Sequence, residues 1–134
     1  MRVTSNAAAM ALAGLFALTG VTHFVAPGIY EPIVPHALPG SARGWVLVSG
    51  AAEWACAAAL ANKRTRRVGA TLTLVLLIAV FPANIQMAVD WNRQGAFKAA
   101  VAWARLPLQV PLVWWAWNVH RHASPGALRP SSTT

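Results

Sequence analysis

Five polar side chains lie inside long apolar stretches of the sequence: His23, Glu53, Asn84, Arg105 and Gln109. Ionisable groups are costly within a membrane and usually face the protein interior. At a rise of about 1.5 Å per helical residue, Glu53 lies near the middle of its stretch and Arg105 about 10 Å from the start of its own. Gln109 shares a helix face with Arg105, because the two are four residues apart. This spacing predicts one polar cluster in one half of a helical membrane protein.

These residue types support three kinds of chemistry. A pair of Glu53 with Arg105, joined by the two amides, can form a buried ion-pair network that fixes helix packing without a ligand. Arg105, His23 and Asn84 can instead donate hydrogen bonds to the carbonyl head of a quinone- or lipid-like molecule, with Glu53 setting the charge. A carboxylate near the midplane can also exchange protons during the export of small molecules. The residues alone leave these alternatives open.

Metal and thiol chemistry are not indicated by the sequence. No grouping of His, Cys and carboxylate residues has the spacing of a metal site, so we expect no metal. The single cysteine, Cys56, excludes an internal disulfide and a CxxC redox pair. It lies within an apolar stretch, where a cysteine behaves as a small hydrophobic side chain.

The composition is that of a membrane protein. The chain has 134 residues, of which 57% are hydrophobic and 10% charged, against roughly 25% charged in a soluble domain. Eleven Lys and Arg against three Asp and Glu give a net charge of +8. The basic residues lie in the gaps between apolar runs and form no stripe on one face, which argues against nucleic-acid binding. The expected partners are the lipid bilayer and either a partner protein or further copies of the chain.

Charged residues divide the chain into four apolar segments, and each is long enough to cross a hydrocarbon core of about 30 Å. The alternating polarity typical of membrane β-strands is absent from the sequence. The predicted fold is therefore all-α, an integral membrane four-helix bundle formed by residues 1–123 and followed by a disordered tail, 124–134. The predicted spans are about 7–26, 44–62, 68–89 and 99–120.

Basic residues predict the orientation of this bundle. The connection between the second and third spans carries Lys63, Arg64, Arg66 and Arg67. The positive-inside rule therefore places this connection and both termini in the cytoplasm, and the polar cluster in the outer half. Tyr30, Trp45 and Trp91 then mark the outer interface, as an aromatic belt does. The first span is longer than the core of a cleaved signal peptide, so we expect it to be retained.

Prolines and small residues indicate irregular and closely packed regions. The outer connection, 27–44, is rich in proline, and we expect a stiff segment that lies across the mouth of the bundle. Prolines inside the third and fourth spans each free a backbone carbonyl one turn earlier, beside the polar residues. Alanines spaced by four residues on the second span predict a face for close helix packing. These residues are Ala51, Ala55 and Ala59.

Several motifs in the same order along the chain resemble those of DoxX-family membrane proteins, over roughly residues 12–117. They are Gly20-Val-Thr-His23-Phe24, Ile33-Val-Pro35 with Leu38-Pro39, Ser49-Gly50-Ala-Ala-Glu53, Phe81-Pro82-Ala83-Asn84-Ile85 with Met87, and Arg105-Leu106-Pro107-Leu108-Gln109. The resemblance implies a four-helix, multi-pass protein of the bacterial inner membrane. The family takes its name from a subunit of a thiosulfate:quinone oxidoreductase, and other members are linked to redox-stress complexes.

The resemblance implies a non-catalytic membrane subunit or scaffold of a redox-linked complex, which would not be an enzyme on its own. A quinone is then the candidate cofactor. The first alternative is a quinone- or lipid-binding protein whose polar site lies in the outer half. The second is a proton-coupled small exporter that depends on Glu53. The residues that match the motifs are the same five that the depth argument selects.

Overall fold

The computed structural model describes residues 2–125, and its side chains from Ser5 onward. Four long helices are present: α1 (Arg2–Val25), α2 (Ala42–Ala61), α3 (Arg66–Trp91) and α4 (Ala96–His122). Two single 3₁₀ turns, Pro27–Ile29 and Glu31–Ile33, lie between α1 and α2. No strand occurs within the described range, which confirms the all-α prediction. The predicted disordered tail lies outside the described residues from position 126 onward.

Three of the long helices have the length and apolar composition needed to cross a membrane: Ser5–Val25, Ala42–Ala61 and Arg66–Trp91. The fourth predicted span corresponds to α4, which is a helix of 27 residues. Its composition is less apolar because Arg105, Gln109 and two prolines lie inside it. The sequence therefore correctly located four long helices, while length and composition in the structure identify three as candidate spans.

These helices carry apolar side chains on the faces that point away from the other helices, as well as on the faces that pack together. Leu18, Val48, Ile78 and Val110 are each more than half exposed. Surfaces of this kind are unfavourable in water and are stable in contact with lipid chains. The exposed apolar side chains therefore support the membrane assignment independently of helix length.

Helix boundaries depend on local capping and turn chemistry. α2 starts at Ala42, two residues before the predicted span, because the Ser41 hydroxyl accepts a hydrogen bond from the Gly44 amide at 3.0 Å. α3 and α4 each extend two to three residues beyond the predicted apolar limits at both ends. Gly95 separates them in a conformation with φ of 110°, which favours glycine.

Glycines determine where the helices approach most closely. α1 packs against α2, α2 against α3, and α3 against α4, with a smaller contact between α1 and α4. A Cβ atom added to Gly50 of α2 would lie 2.7 Å from the Cβ of His23 on α1. A Cβ atom on Gly69 of α3 would lie 2.6 Å from the backbone nitrogen of Leu60 on α2. These positions have no room for a side chain.

The predicted packing face of α2 differs from the observed one. Ala51 and Ala55 are exposed, and only Ala59 of the three alanines lies at a helix contact, beside Gly69. Because α2 packs on α1 through Gly50 instead, the helix is rotated away from the alanine face. Small residues occur on several faces of α2, so their spacing alone did not select the right one.

Both described ends of the chain lie beside the turn between α2 and α3. Trp115 near the end of α4 donates a hydrogen bond to the Ala8 carbonyl of α1 at 3.0 Å. The buried Arg66 donates to the Leu60 carbonyl at 2.8 Å and to the side chain of Asn6 at 3.0 Å. We call this side of the molecule the turn end, and the opposite side, with residues 26–41 and 92–95, the loop end.

Candidate functional site

A cavity of about 400 Å³ lies between the helices in the half of the molecule nearer the loop end. Its walls come from α1, α2 and α3, from the segment between α1 and α2, and from one residue of α4. Most of the wall is apolar. Four of the five predicted site residues line this cavity: His23, Glu53, Asn84 and Arg105. The structure therefore brings side chains from all four long helices to one place.

His23 and Glu53 meet where α1 and α2 are closest. The Nδ1 atom of His23 lies 3.5 Å from Oε2 of Glu53, and both side chains are nearly buried, at 11% and 14% exposure. The same Nδ1 atom lies 2.7 Å from the Thr19 carbonyl oxygen. Because a carbonyl only accepts hydrogen bonds, Nδ1 carries a hydrogen and donates it to Thr19. The absence of a side chain at Gly50 allows α2 to approach the imidazole.

The basic group nearest to the Glu53 carboxylate differs from the one expected. The sequence suggested Arg105, whereas His23 is the basic group within 4.0 Å of the carboxylate among the described residues. Arg105 is exposed and lines the same cavity. It remains an electrostatic neighbour of Glu53, together with the Thr19 side chain. The close approach of α1 to α2 explains the difference, since it brings His23 nearer to the carboxylate than Arg105.

Gln109 belongs to a separate amide pair rather than to the cavity wall. Nδ2 of Asn84 donates to Oε1 of Gln109 at 3.3 Å, and Nε2 of Gln109 donates to the Leu77 carbonyl oxygen. Both amides are buried. Pro82 removes one backbone donor from this part of α3, and Gln109 supplies a side-chain donor close by. The pair therefore joins α4 to the part of α3 that contains Pro82, and only Asn84 also reaches the cavity.

Two aromatic residues of the cavity, Tyr30 and Trp45, were predicted from the sequence only as markers of the outer membrane interface. The ring of Tyr30 stacks on His23, with centroids 3.9 Å apart, and its hydroxyl lies 2.6 Å from Oγ1 of Thr22. Trp45 lines the cavity and donates a hydrogen bond to the Pro39 carbonyl at 2.7 Å. The sequence signal that could identify Tyr30 is its place two residues after the Pro27-Gly28 pair that follows α1, where the chain folds back towards His23.

The segment between α1 and α2 forms one wall of the cavity. Ile33 is buried against Met87 and Ala88 of α3. His36 lies within hydrogen-bond distance of the Gln86 side chain, at 3.2 Å. The segment is thus attached to α3 by both apolar and polar contacts.

A second cleft, of about 560 Å³, lies between α1 and α4 at the turn end. It is lined mainly by apolar and aromatic side chains, including Trp114 and Trp115, and by none of the predicted site residues. Within the described part of the chain, no three His, Cys, Asp or Glu residues come close enough to hold a metal ion. The cavity near the loop end is therefore the candidate functional site.

Comparison with known proteins gives one family and no individual relative. Neither a curated protein nor a solved structure matches the chain. A family model described as a domain of unknown function (DUF8561) matches residues 12–120. This match includes most of α1, all of α2 and α3 and nearly all of α4, together with every polar residue of the cavity. The chain therefore belongs to the family of the domain of unknown function DUF8561.

Proposed function

We propose that this protein is a DoxX-like membrane protein that binds a quinone- or lipid-like molecule in the cavity near its loop end. The observation that carries the proposal is the cavity itself, in which four helices place polar side chains on an otherwise apolar wall. Small-molecule sites are commonly concave and mostly apolar, with a few convergent polar groups. In this proposal the apolar wall holds the body of the ligand, and Glu53 and Arg105 hold its head.

The proposed membrane arrangement has four crossings in a helix bundle, with both termini in the cytoplasm. α4 is the fourth crossing, because it packs against α3 and returns to the turn end, where Trp115 contacts α1. The basic residues near the turn end favour the cytoplasmic side by the positive-inside rule. The motifs that resemble those of DoxX proteins support the bacterial inner membrane as its proposed location. The cavity then lies in the outer half of the bilayer.

The second candidate is a non-catalytic subunit or scaffold of a redox-linked complex. It is favoured by the contact between His23 and Glu53, which joins α1 to α2, and by the amide pair, which joins α3 to α4. Buried polar contacts of this kind can specify packing without binding a ligand. The proton-coupled exporter is a weaker alternative, because it depends on a lone carboxylate and Glu53 has His23 beside it.

The first experiment is mass spectrometry of small molecules retained by the detergent-purified protein. Wild type is compared with Glu53→Gln and Arg105→Gln, and Arg93→Gln serves as the control because Arg93 is an exposed arginine at the loop end. We expect a quinone or lipid in wild type and the control, and its loss from folded variants of the cavity. An empty wild-type protein that copurifies with a stable partner chain would instead favour the scaffold.

A further inference from the structure

The amide pair determines which atom of Asn84 remains for a ligand. The Leu77 carbonyl accepts only, so Gln109 must direct its NH₂ group to it and its oxygen to Asn84. Asn84 must then donate through Nδ2. Its oxygen, Oδ1, is not used by any hydrogen bond within the described residues. Because Asn84 lines the cavity, it offers a ligand its unused acceptor Oδ1, together with the second hydrogen of Nδ2.

A second unused acceptor on this wall belongs to Glu53. Oε2 of Glu53 is buried and has no hydrogen-bond partner within the described part of the chain. His23 does not satisfy it, because the hydrogen on Nδ1 is directed to the Thr19 carbonyl at 2.7 Å. An ionised carboxylate has no hydrogen of its own to donate. Glu53 and Asn84 therefore both require a donor.

Tyr30 does not provide that donor. The Thr22 hydroxyl donates to the Thr19 carbonyl at 2.6 Å, so the Tyr30 hydroxyl must donate to Thr22 Oγ1. The indole N–H of Trp45 is likewise engaged, with the Pro39 carbonyl. Two further donors line the cavity, the Ser49 hydroxyl and the guanidinium of Arg105, which is exposed and carries five N–H groups. Neither forms a hydrogen bond with Oε2 of Glu53.

We infer that the cavity takes an amphiphile with a hydroxylated head, a phenol or an alcohol, on an apolar body. This inference rests on the ligand-binding function proposed above. A hydroxyl group donates one hydrogen bond, to Glu53 or to Asn84, and accepts one from Arg105. A carbonyl head only accepts, and it would leave both acceptors without a donor. An ammonium head only donates, and it is repelled by Arg105.

The test is a competition between matched ligands, read by native mass spectrometry of the purified protein released from detergent. 4-Nonylphenol, its methyl ether 4-nonylanisole, and nonylamine are supplied in equal amounts. The phenol and its ether share the same body and the same acceptor oxygen, and differ in the donor hydrogen. We expect the phenol to be bound at least about tenfold more than the ether, since hydrogen bonds to charged groups are among the strongest in proteins.

Two variants test which residues cause the preference for the phenol over the ether. Glu53→Gln replaces a carboxylate by a group that also donates, and it should bring the ratio of phenol to ether close to one. Arg105→Gln replaces the charged donor that both ligands use by a shorter, neutral amide, so it should weaken both and leave the ratio high. Arg93→Gln should match wild type. Circular dichroism and the melting temperature establish that each variant is folded, and Arg105→Gln keeps the test decisive if Glu53→Gln does not fold.

The outcomes separate this inference from the proposed function. Equal binding of phenol and ether by wild type, or a preference for nonylamine, would overturn the hydroxylated head while leaving a ligand-binding cavity. Binding of none of the three ligands would contradict both. A ratio that stays high in folded Glu53→Gln would remove Glu53 from the recognition of the donor.

Discussion

The imidazole of His23 stacks on the ring of Tyr30, with centroids 3.9 Å apart and planes inclined by 11°. This contact joins the last turn of α1 to the segment that walls the cavity. The Tyr30 hydroxyl adds a second connection, because it donates to Thr22 on the same helix. Tyr30 therefore holds the cavity wall in place and orients the histidine that faces Glu53.

Two substitutions separate these connections. Tyr30→Phe keeps the stacked ring and removes the 2.6 Å hydrogen bond, so we expect a loss of about 1 kcal/mol in stability. Tyr30→Ala removes the ring as well, which should lower stability further and reduce the amount of retained ligand. Thermal unfolding in detergent and mass spectrometry of bound molecules measure the two effects. If Tyr30→Phe were as damaging as Tyr30→Ala, the stacking would contribute nothing.

Arg66 is a buried arginine that binds backbone carbonyls rather than a carboxylate. It donates to Leu60 at 2.8 Å and to Ala61 at 3.3 Å, at the C-terminal end of α2. Cations are stabilised at this end of a helix by its dipole. We expect Arg66→Met to lower stability by about 2 to 3 kcal/mol, because several charge-assisted hydrogen bonds are lost.

The neighbouring Arg67 is exposed and provides the control. Arg67→Met removes the same charge from the same turn, and we expect little change in the melting temperature. Equal destabilisation by both substitutions would show that local charge matters at this turn, and not the buried contacts of Arg66.

Gly69 and Gly14 form a matched pair for the packing of the helices. A Cβ atom on Gly69 would meet backbone atoms of Ala59 and Leu60 at 2.6 to 2.7 Å, whereas a Cβ atom on Gly14 meets nothing within 4 Å. We expect Gly69→Ala to cost about 1 to 3 kcal/mol, because α2 and α3 must move apart. Gly14→Ala should be neutral or stabilising by up to about 1 kcal/mol, since alanine favours a helix. Melting temperatures in one detergent compare the two, and an undamaged Gly69→Ala protein would contradict the close contact.

The proposed four crossings predict which residues face each side of the membrane. Cys56 is the single cysteine and is buried, so new cysteines in a Cys56→Ala background report their own positions. We expect a membrane-impermeant maleimide to label Gln94→Cys in intact cells, and Arg64→Cys and Ser124→Cys only after permeabilisation. Labelling of Gln94→Cys and Ser124→Cys from the same side would mean that α4 does not cross.

The sequence alone was sufficient to predict the long helices and the polar residues that lie within them. Long uncharged stretches locate the helices because membrane-crossing length is a local property, set by the rise per residue. The same rise gave the depths of Glu53 and Arg105, and together with Asn84 they predicted one polar cluster formed by different helices. The cavity contains all three of these residues together with His23.

Tertiary structure decided which faces meet. It placed His23 rather than Arg105 beside Glu53, moved Gln109 from the site to the Leu77 carbonyl, and buried Arg66 among carbonyl groups. The physical reason is that these helices are apolar on nearly every face, so their polarity does not show which face turns inward. Their rotation is set by contacts between residues far apart in sequence, such as Gly50 with His23 and Gly69 with Leu60.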